Sequence, residues 1–228
     1  MRKVTDTAIA TVTAVALGAG AWLLHSGAEA SAPPQPSAAQ ARSGGEEIRS
    51  APALPPLPPS PPDRVRIPSL HVDAPLTGLG LTPAGSLDAP PAERRDLAGW
   101  YRAGTTPGET GTAILAGHVD NADGPAVFYG LGSLRKHSTV EVDRRDGTVA
   151  VFTVDAVEVY DARRFPDEKV YGPAARPELR VITCGGPYSR ATGYQGNVVV
   201  FAHLTGTREN RPWAVSAKSR PARDADSP

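Results

Sequence analysis

The stretch that decides the fold is residues 180–186, Arg-Val-Ile-Thr-Cys-Gly-Gly, which contains Cys184, the only cysteine of the 228-residue chain. Two β-branched residues, Val181 and Ile182, come just before the thiol and favour a strand. Two glycines and Pro187 follow, and they predict that the strand stops there. A single thiol at the end of a buried strand, beside an open turn, is the arrangement that a nucleophile needs.

The composition limits the chemistry open to this thiol. The chain has 24 basic and 24 acidic residues and no basic stripe, which argues against a nucleic-acid partner. One cysteine excludes an internal disulfide and a cysteine-cluster metal site. The five histidines are His25, His71, His118, His137 and His203. No two of them have metal-ligand spacing, so we expect no metal and no other cofactor.

Residues 1–30 have the pattern of a membrane anchor. A basic start precedes residues 7–24, which are uncharged and mostly Ala, Val, Leu and Gly. As a helix this segment rises about 27 Å, just enough to span the bilayer core. The basic start predicts a single-pass protein of the cell membrane with the folded domain outside. A small-residue pattern at 28–30 leaves a cleaved signal peptide, and hence a secreted protein, as the alternative.

Residues 31–62 are rich in Pro, Ala and Ser and end in the run Leu-Pro-Pro-Leu-Pro-Pro-Ser-Pro-Pro at 54–62. Such a segment has little apolar surface to bury and favours polyproline II, so it predicts a disordered linker. A spacer from the membrane and a ligand for a proline-binding module are the two interpretations. Residues 63–207 are expected to fold as one domain, and the polar residues 208–228 to form a disordered tail.

Short apolar runs separated by turn residues fill the expected domain. The candidate strands are 65–67, 74–81, 112–117, 140–142, 149–160, 178–184 and 197–204, with one or two helical turns in 126–134. Seven or eight short strands of this kind predict an all-β barrel or sandwich with short helical or loop insertions.

His118 occupies the same kind of position as Cys184, because it follows the strand predicted over 112–117. A free thiol, with a pKa of ~8.5, needs a proton acceptor or a positive charge nearby to become a thiolate at neutral pH. An imidazole can accept that proton and later protonate a leaving amine. Asp120 either orients this imidazole, as the third member of a triad does, or caps the loop.

Arg190 is the only arginine between Cys184 and the end of the last predicted strand. Acyl transfer places negative charge on the attacked carbonyl oxygen, and a guanidinium can receive it. We therefore predict that Arg190 binds the oxyanion or the substrate, with a solvated loop arginine as the alternative. For Cys184 the corresponding alternative is an inert buried thiol.

Taken together, these motifs resemble those of a sortase. Leu-Ala-Gly-His at 115–118 and Val-Ile-Thr-Cys at 181–184 are similar to the family's histidine and cysteine strands, and they have similar spacing. Val-Arg-Ile-Pro-Ser-Leu at 65–70, Gly-His-Val-Asp at 117–120 and Asn-Val-Val-Val at 197–200 resemble the actinobacterial class F group in particular.

The resemblance implies an eight-stranded sortase-type β-barrel and a cysteine transpeptidase. Cys184 would be the nucleophile that forms an acyl-thioester, and His118 the general acid and base. The implied partners are proteins with a C-terminal sorting signal of the Leu-Pro-x-Thr-Gly type, cleaved between Thr and Gly. The acyl group would pass to an amine acceptor, such as a peptidoglycan precursor or a pilin lysine, or to water. Thr183 and Asp120 would take part in substrate binding.

The family's catalytic arginine lies on the last strand, at the position of Asn197 in this chain. Arg190 is then the best substitute, and the only reason is that its loop is expected to fold near Cys184. A non-catalytic membrane-tethered binding barrel and a purely hydrolytic cysteine peptidase are the alternatives to a sortase. An L,D-transpeptidase also uses an exported Cys and His, but within one Ser-His-Gly-Cys-like stretch that this sequence lacks.

Overall fold

Ten strands and five short helices make up the regular structure of residues 32–41 and 54–210, the part of the chain that this computed structural model describes. The strands are β1 (Pro62–Ile67), β2 (Val72–Leu79), β3 (Ala98–Tyr101), β4 (Gly111–Gly117), β5 (Asp120–Asn121), β6 (Gly124–Pro125), β7 (Thr139–Arg144), β8 (Thr148–Asp161), β9 (Pro177–Ser189) and β10 (Gly193–Glu209). The helices are α1 (Asp167–Tyr171) and four 3₁₀ helices, Ala38–Gln40, Pro68–Leu70, Leu131–Ser133 and Ala162–Arg164.

Eight of the strands close into one barrel in the order β1-β2-β3-β4-β9-β10-β8-β7. The β2–β3 and β4–β9 pairs are parallel and the other pairs are antiparallel. Strands β5 and β6 form a separate two-stranded sheet. Closure leaves no unpaired edge along the barrel, which keeps its backbone hydrogen bonds satisfied. The prediction of an all-β, eight-stranded barrel is confirmed.

The barrel interior is filled by the alternate apolar residues of each strand. On β8, for example, Ala150, Phe152 and Val154 are fully buried, whereas Val151 and Thr153 between them are partly exposed. Side chains alternate across a strand, so this pattern fixes which face of β8 points inward. Burying a side chain the size of Phe152 contributes about 2–3 kcal/mol.

Strand β9 continues beyond Cys184, where the glycines and Pro187 had predicted its end. Gly186 has φ of +75°, a backbone conformation that favours glycine. The pairing of β9 with β10 shifts register here, between Tyr194 and Gly196 of β10. The break predicted from the sequence is therefore a bulge inside a longer hairpin, after which β9 runs on to Ser189.

The proline-rich run at 54–62, expected to be part of a disordered linker, packs against the barrel. The Leu57 N–H donates to the Gly108 carbonyl at 2.8 Å, and the Ser60 N–H donates to Oγ1 of Thr106 at 3.0 Å. The buried guanidinium of Arg144 donates to the carbonyl of Pro58. These bonds satisfy the backbone of a segment that cannot form a ladder of its own, so the ordered body extends ahead of residue 63.

Residues 34–41 also contact the barrel. The Lys136 N–H donates to Oε1 of Gln40 at 2.8 Å, and the Gly186 N–H donates to Oε1 of Gln35 at 3.1 Å. The predicted anchor at 7–24 lies outside the described residues. Within the described ranges, no helix is long and apolar enough to cross a membrane.

Candidate active site

The strands that carry the candidate histidine and cysteine are direct neighbours. In the parallel β4–β9 pair, Ala116 lies opposite Ile182. One residue further on, Oγ1 of Thr183 donates a hydrogen bond to the Gly117 carbonyl at 2.8 Å, across the same 66-residue offset. The next pair with that offset is His118 and Cys184. The pairing therefore brings together two side chains that are far apart in the sequence.

Thr183 is thus buried between the two strands, with its hydroxyl engaged by the backbone of β4. The hydrogen bond ties the interior of β9 to the last residue of β4. Its geometry gives Thr183 a positioning part in the site, and the residue also lines the cavity described next.

A cavity of about 900 Å³ opens at this end of the barrel, and both Cys184 and His118 line it. Much of its wall is apolar and comes from four parts of the chain. The apolar lining includes Leu81, Leu87, Ile114, Phe165, Tyr171 and Ile182. Its volume and lining suit a short stretch of extended peptide with apolar side chains.

The surroundings of Cys184 favour the neutral thiol. The residue is exposed, but desolvation by neighbouring atoms raises the pKa of its thiol, and the negative charge of Asp120 raises it further. A hydrogen bond from its own backbone N–H opposes these two effects. Among the described residues no arginine or lysine is a cause of this shift, so the raised pKa keeps Cys184 protonated at neutral pH.

One hydrogen bond fixes the imidazole of His118. Its Nε2 atom lies 2.7 Å from the carbonyl oxygen of Pro90, in the β2–β3 connection. A carbonyl oxygen only accepts, so Nε2 carries a proton and donates it. The Nδ1 atom is then the nitrogen that can gain or lose a proton, which is the property of a general base.

Asp120 bonds to β10 instead of to the imidazole. Its carboxylate accepts a hydrogen bond from the hydroxyl of Tyr194. Desolvation and this carboxylate together raise the pKa of the Tyr194 phenol. No hydrogen bond joins Asp120 to His118 within the described ranges. Of the two interpretations made from the sequence, the geometry favours a structural role for Asp120 in its loop over the role of a triad member.

Arg190 lies at the tip of the β9–β10 hairpin. The turn is closed by the Thr192 N–H, which donates to the Ser189 carbonyl at 3.3 Å, and the arginine side chain is exposed. Six residues of extended chain separate Arg190 from Cys184, a span of up to about 20 Å. Arg190 is not among the residues that line the cavity, so the structure does not bring it together with the thiol.

Two cavity residues were not singled out from the sequence as candidates for the oxyanion. Asn197 on β10 is paired directly opposite Cys184, and Arg163 lies in the 3₁₀ helix that follows β8. The sequence holds one faint signal for Arg163, an Asp-Ala-Arg-Arg run at the end of a long predicted strand. Among the described residues, no cluster of His, Cys, Asp or Glu has the geometry to hold a metal ion.

Comparison with known proteins agrees with the fold. The sequence model of the family described as "Sortase domain" matches residues 65–205, which is more than half of the chain. This chain therefore belongs to the sortase family. A search of the curated proteins found no match.

Solved structures of sortases are similar in fold. The SrtA sortase of Actinomyces oris has a TM-score of 0.50 and 18% identity, over 73% of this chain and 94% of that one. Sortase A of Listeria monocytogenes has a TM-score of 0.49 and 19% identity, over 66% of this chain and 91% of that one. The lid mutant of sortase A from Corynebacterium diphtheriae has a TM-score of 0.49 and 20% identity, over 69% and 74%.

Proposed function

We propose that this chain is a cysteine transpeptidase that cleaves a sorting signal of the Leu-Pro-x-Thr-Gly type and transfers the acyl fragment to an amine. One observation carries the proposal. Cys184 lies on β9, His118 directly follows the parallel neighbour β4, and both line the same cavity of about 900 Å³. This is the pairing of nucleophile and base that acyl transfer requires.

The reaction begins with a proton transfer, because the resting Cys184 is a thiol. Nδ1 of His118 accepts the thiol proton, while the Nε2–H bond to Pro90 keeps the ring in place. Asp120 disfavours the thiolate, so the charged nucleophile forms mainly when a bound substrate is ready to react. Such a site protects an exported thiol from oxidation between turnovers.

The sulfur then attacks the carbonyl carbon of the threonine residue, forming the S–C bond and placing the charge on the oxygen. Collapse of this intermediate breaks the C–N bond, and the imidazolium of His118 gives its proton to the departing glycine amine. The product is a thioester on Cys184. An incoming amine reverses the sequence: its nitrogen bonds the acyl carbon, His118 takes its proton, and the sulfur leaves and is reprotonated.

The cavity walls support a peptide with an apolar leading part. Leu81 and Leu87 come from the β2–β3 connection, Phe165 follows β8, and Ile114 and Ile182 come from β4 and β9. The leucine and proline of a sorting signal would bury apolar surface between these walls, at about 25 cal/mol per Å². Thr183 uses its hydroxyl to bond the Gly117 carbonyl, which stabilises the cavity wall, rather than to bind the substrate.

Trapping the thioester tests the proposal. The protein is incubated with Leu-Pro-x-Thr-Gly peptides of varied x, with and without triglycine, and analysed by intact-mass spectrometry. We expect an acyl adduct on Cys184 that triglycine converts to a ligated peptide. In Cys184→Ala, adduct and product are expected to fall by about 10⁴-fold or more. Cys184→Ala should keep the melting temperature, because the residue is exposed.

Each alternative predicts a different result in the same experiment. A binding barrel gives no adduct and no cleavage with any peptide. A hydrolytic peptidase gives the adduct and free acid, but no ligated product at any concentration of triglycine. Cleavage that persists in Cys184→Ala would contradict the proposal.

The proposal extends to the sortase class, the membrane tether and the acceptor. The motifs at 65–70 and 117–120 support a class F sortase, and residues 7–24 support a membrane-tethered enzyme outside the cell. The acceptor would be a peptidoglycan precursor or a pilin lysine. Membrane fractionation of the full chain and of a chain without residues 1–30 tests the tether. Only the full chain should sediment with membranes and resist extraction by high salt.

A further inference from the structure

The proposed reaction needs a cation or hydrogen-bond donors beside the attacked carbonyl, and the hairpin arginine does not reach the cavity. Cys184 is paired with Asn197 of β10, and Asn197 is paired in turn with Tyr160 of β8. Strands are about 4.8 Å apart, so Tyr160 lies about 10 Å from Cys184 across the sheet. The end of β8 is therefore close to the thiol, although the two are far apart in sequence.

Arg163 follows this end of β8 and lines the same cavity as Cys184 and His118. The carboxylate of Asp161 caps the 3₁₀ helix Ala162–Arg164 by accepting the Arg163 N–H at 2.8 Å. This cap fixes the backbone from which the guanidinium extends.

The segment after Arg163 is anchored by aromatic packing. The Phe165 ring lies 5.9 Å from that of Tyr160 and 5.5 Å from that of Tyr171. Phe165 also packs against a small apolar cluster that includes Ile182 and Phe201. The backbone of Arg163 is therefore held between a capped turn and a packed aromatic residue, and its side chain is exposed at the cavity.

No other charged group among the described residues pairs with Arg163. Its guanidinium has no ion pair or side-chain hydrogen bond within residues 32–41 and 54–210, unlike that of Arg66, which is paired with Asp143. Its neighbour Arg164 lies on the same 3₁₀ helix but does not line the cavity. Arg163 is the one lysine or arginine among the lining residues of the described cavity.

The geometry points to Arg163 as the arginine that holds the substrate carbonyl beside Cys184 and receives the oxyanion. This inference rests on the proposed acyl transfer. When the sulfur bonds the carbonyl carbon, the oxygen takes the electron pair of the C=O bond, and Arg163 donates N–H groups to it. When the C–N bond breaks, the pair returns and the interaction weakens, so the arginine stabilises the intermediate more than the bound peptide.

A first experiment tests the placement of Arg163 without any peptide. Cys184 is modified with two methanethiosulfonate reagents, one carrying a sulfonate and one a trimethylammonium group, and the ratio of the two rates is measured. A cation near the thiol speeds the anionic reagent relative to the cationic one. We expect Arg163→Gln to lower this ratio by about 3- to 10-fold at low salt, and by less at high salt.

Two variants serve as comparisons. Arg164→Gln removes the same charge from the same 3₁₀ helix on a side chain that does not line the cavity, and it should leave the ratio within about 1.5-fold of wild type. Arg190→Gln should do the same. A ratio that responds to Arg190→Gln and not to Arg163→Gln would overturn the assignment in favour of the hairpin arginine.

A second experiment tests the catalytic role, with the peptide assay described above. We expect Arg163→Gln to lower kcat/KM by about 10²-fold, mostly through kcat, as removal of one oxyanion donor does. Arg163→Lys should restore part of the loss, because it keeps the charge but not the planar fork. A loss confined to KM, or none, overturns the oxyanion role.

The two proposals fail in different ways. If the wild-type protein processes no sorting peptide, the proposed function fails, and with it the oxyanion role of Arg163, while the reagent ratio still decides which arginine lies beside Cys184. If peptides are processed and Arg163→Gln retains wild-type kcat, the sortase activity stands and the inference about Arg163 is wrong. Equal melting temperatures of Arg163→Gln and Arg164→Gln exclude a folding defect as the cause of a difference.

Discussion

Strand β9 connects two polar regions with different surroundings. Near its start, Glu178 accepts hydrogen bonds from Arg176 at 3.2 Å and from Arg180 at 2.7 Å. In the same region, Nδ1 of His203 lies 2.7 Å from a carboxylate oxygen of Asp155. Charged groups at this end of the barrel are therefore paired with one another.

Further along β9, around Cys184, the polar groups face a cavity. Cys184 has no cation as a partner, and Arg163 makes no ion pair within the described ranges. Asn197, opposite Cys184, makes no side-chain hydrogen bond to another described residue. The difference teaches that one strand can serve two purposes. The charges near its start are paired with one another, and the groups left available around Cys184 can bind and react with a ligand.

The largest effect is expected from removing the proton transfer between His118 and Cys184 at the cavity. In His118→Gln the amide can still donate to the Pro90 carbonyl, but it cannot take the thiol proton. We expect the rate of thioester formation to fall by about 10²- to 10⁴-fold. The measurement is single-turnover acylation followed by mass spectrometry. Unchanged acylation, with an unchanged melting temperature, would show that His118 does not act on the thiol.

Removing a charge at the paired end should affect stability and not chemistry. Glu178→Gln removes the carboxylate that pairs with both Arg176 and the nearly buried Arg180, so we expect a loss of about 2–4 kcal/mol in the free energy of unfolding. Alkylation of Cys184 by iodoacetamide should be unchanged in the folded variant. The matched control is Glu93→Gln, at an exposed loop position, which should stay within about 0.5 kcal/mol of wild type.

The pKa of Glu178 predicts how the stability of the paired region changes with pH. Burial alone would raise the pKa of Glu178, but Arg180 and Arg176 outweigh burial and the pKa is lowered. The stabilisation is therefore fully present above the pKa of the unfolded glutamate, and it is lost as the pH falls through the lower folded pKa. Urea unfolding of wild type and Glu178→Gln should converge at acidic pH. A constant difference between the two would contradict this account.

The smallest expected effect concerns the charge that holds Cys184 protonated. In Asp120→Asn the side chain can still accept the Tyr194 hydrogen bond, but the negative charge is gone. The pKa of Cys184 should fall, because burial remains and one of the two effects that raise it is removed. At pH 7.5 iodoacetamide should react about 2- to 5-fold faster than with wild type, with the difference vanishing at high pH. A slower reaction would mean that Asp120 assists deprotonation.

Much of the fold could be read from local patterns. Alternating runs such as 149–160 predicted strands that the structure contains, because successive side chains of a strand point to its buried and its exposed face in turn. Strand β3 and helix α1 were not predicted. Each has only four or five residues and is defined mainly by its neighbours: β3 lies between β2 and β4 in the barrel. The proline-rich run at 54–62 looks disordered by composition, but Arg144 and other barrel groups satisfy its carbonyls.

The sequence alone determined the candidate nucleophile and base. Cys184 and His118 each follow a β-branched or apolar run that ends at glycine or at a polar loop, and these are local signals. The tertiary structure decided which other groups join them. Arg190 is near Cys184 in sequence but lies at a hairpin tip, whereas Arg163 is distant in sequence but borders the cavity through the β8–β10–β9 pairing. The physical reason is that an extended strand carries its own next residues away from a site, while hydrogen-bonded neighbours remain about 5 Å apart per strand.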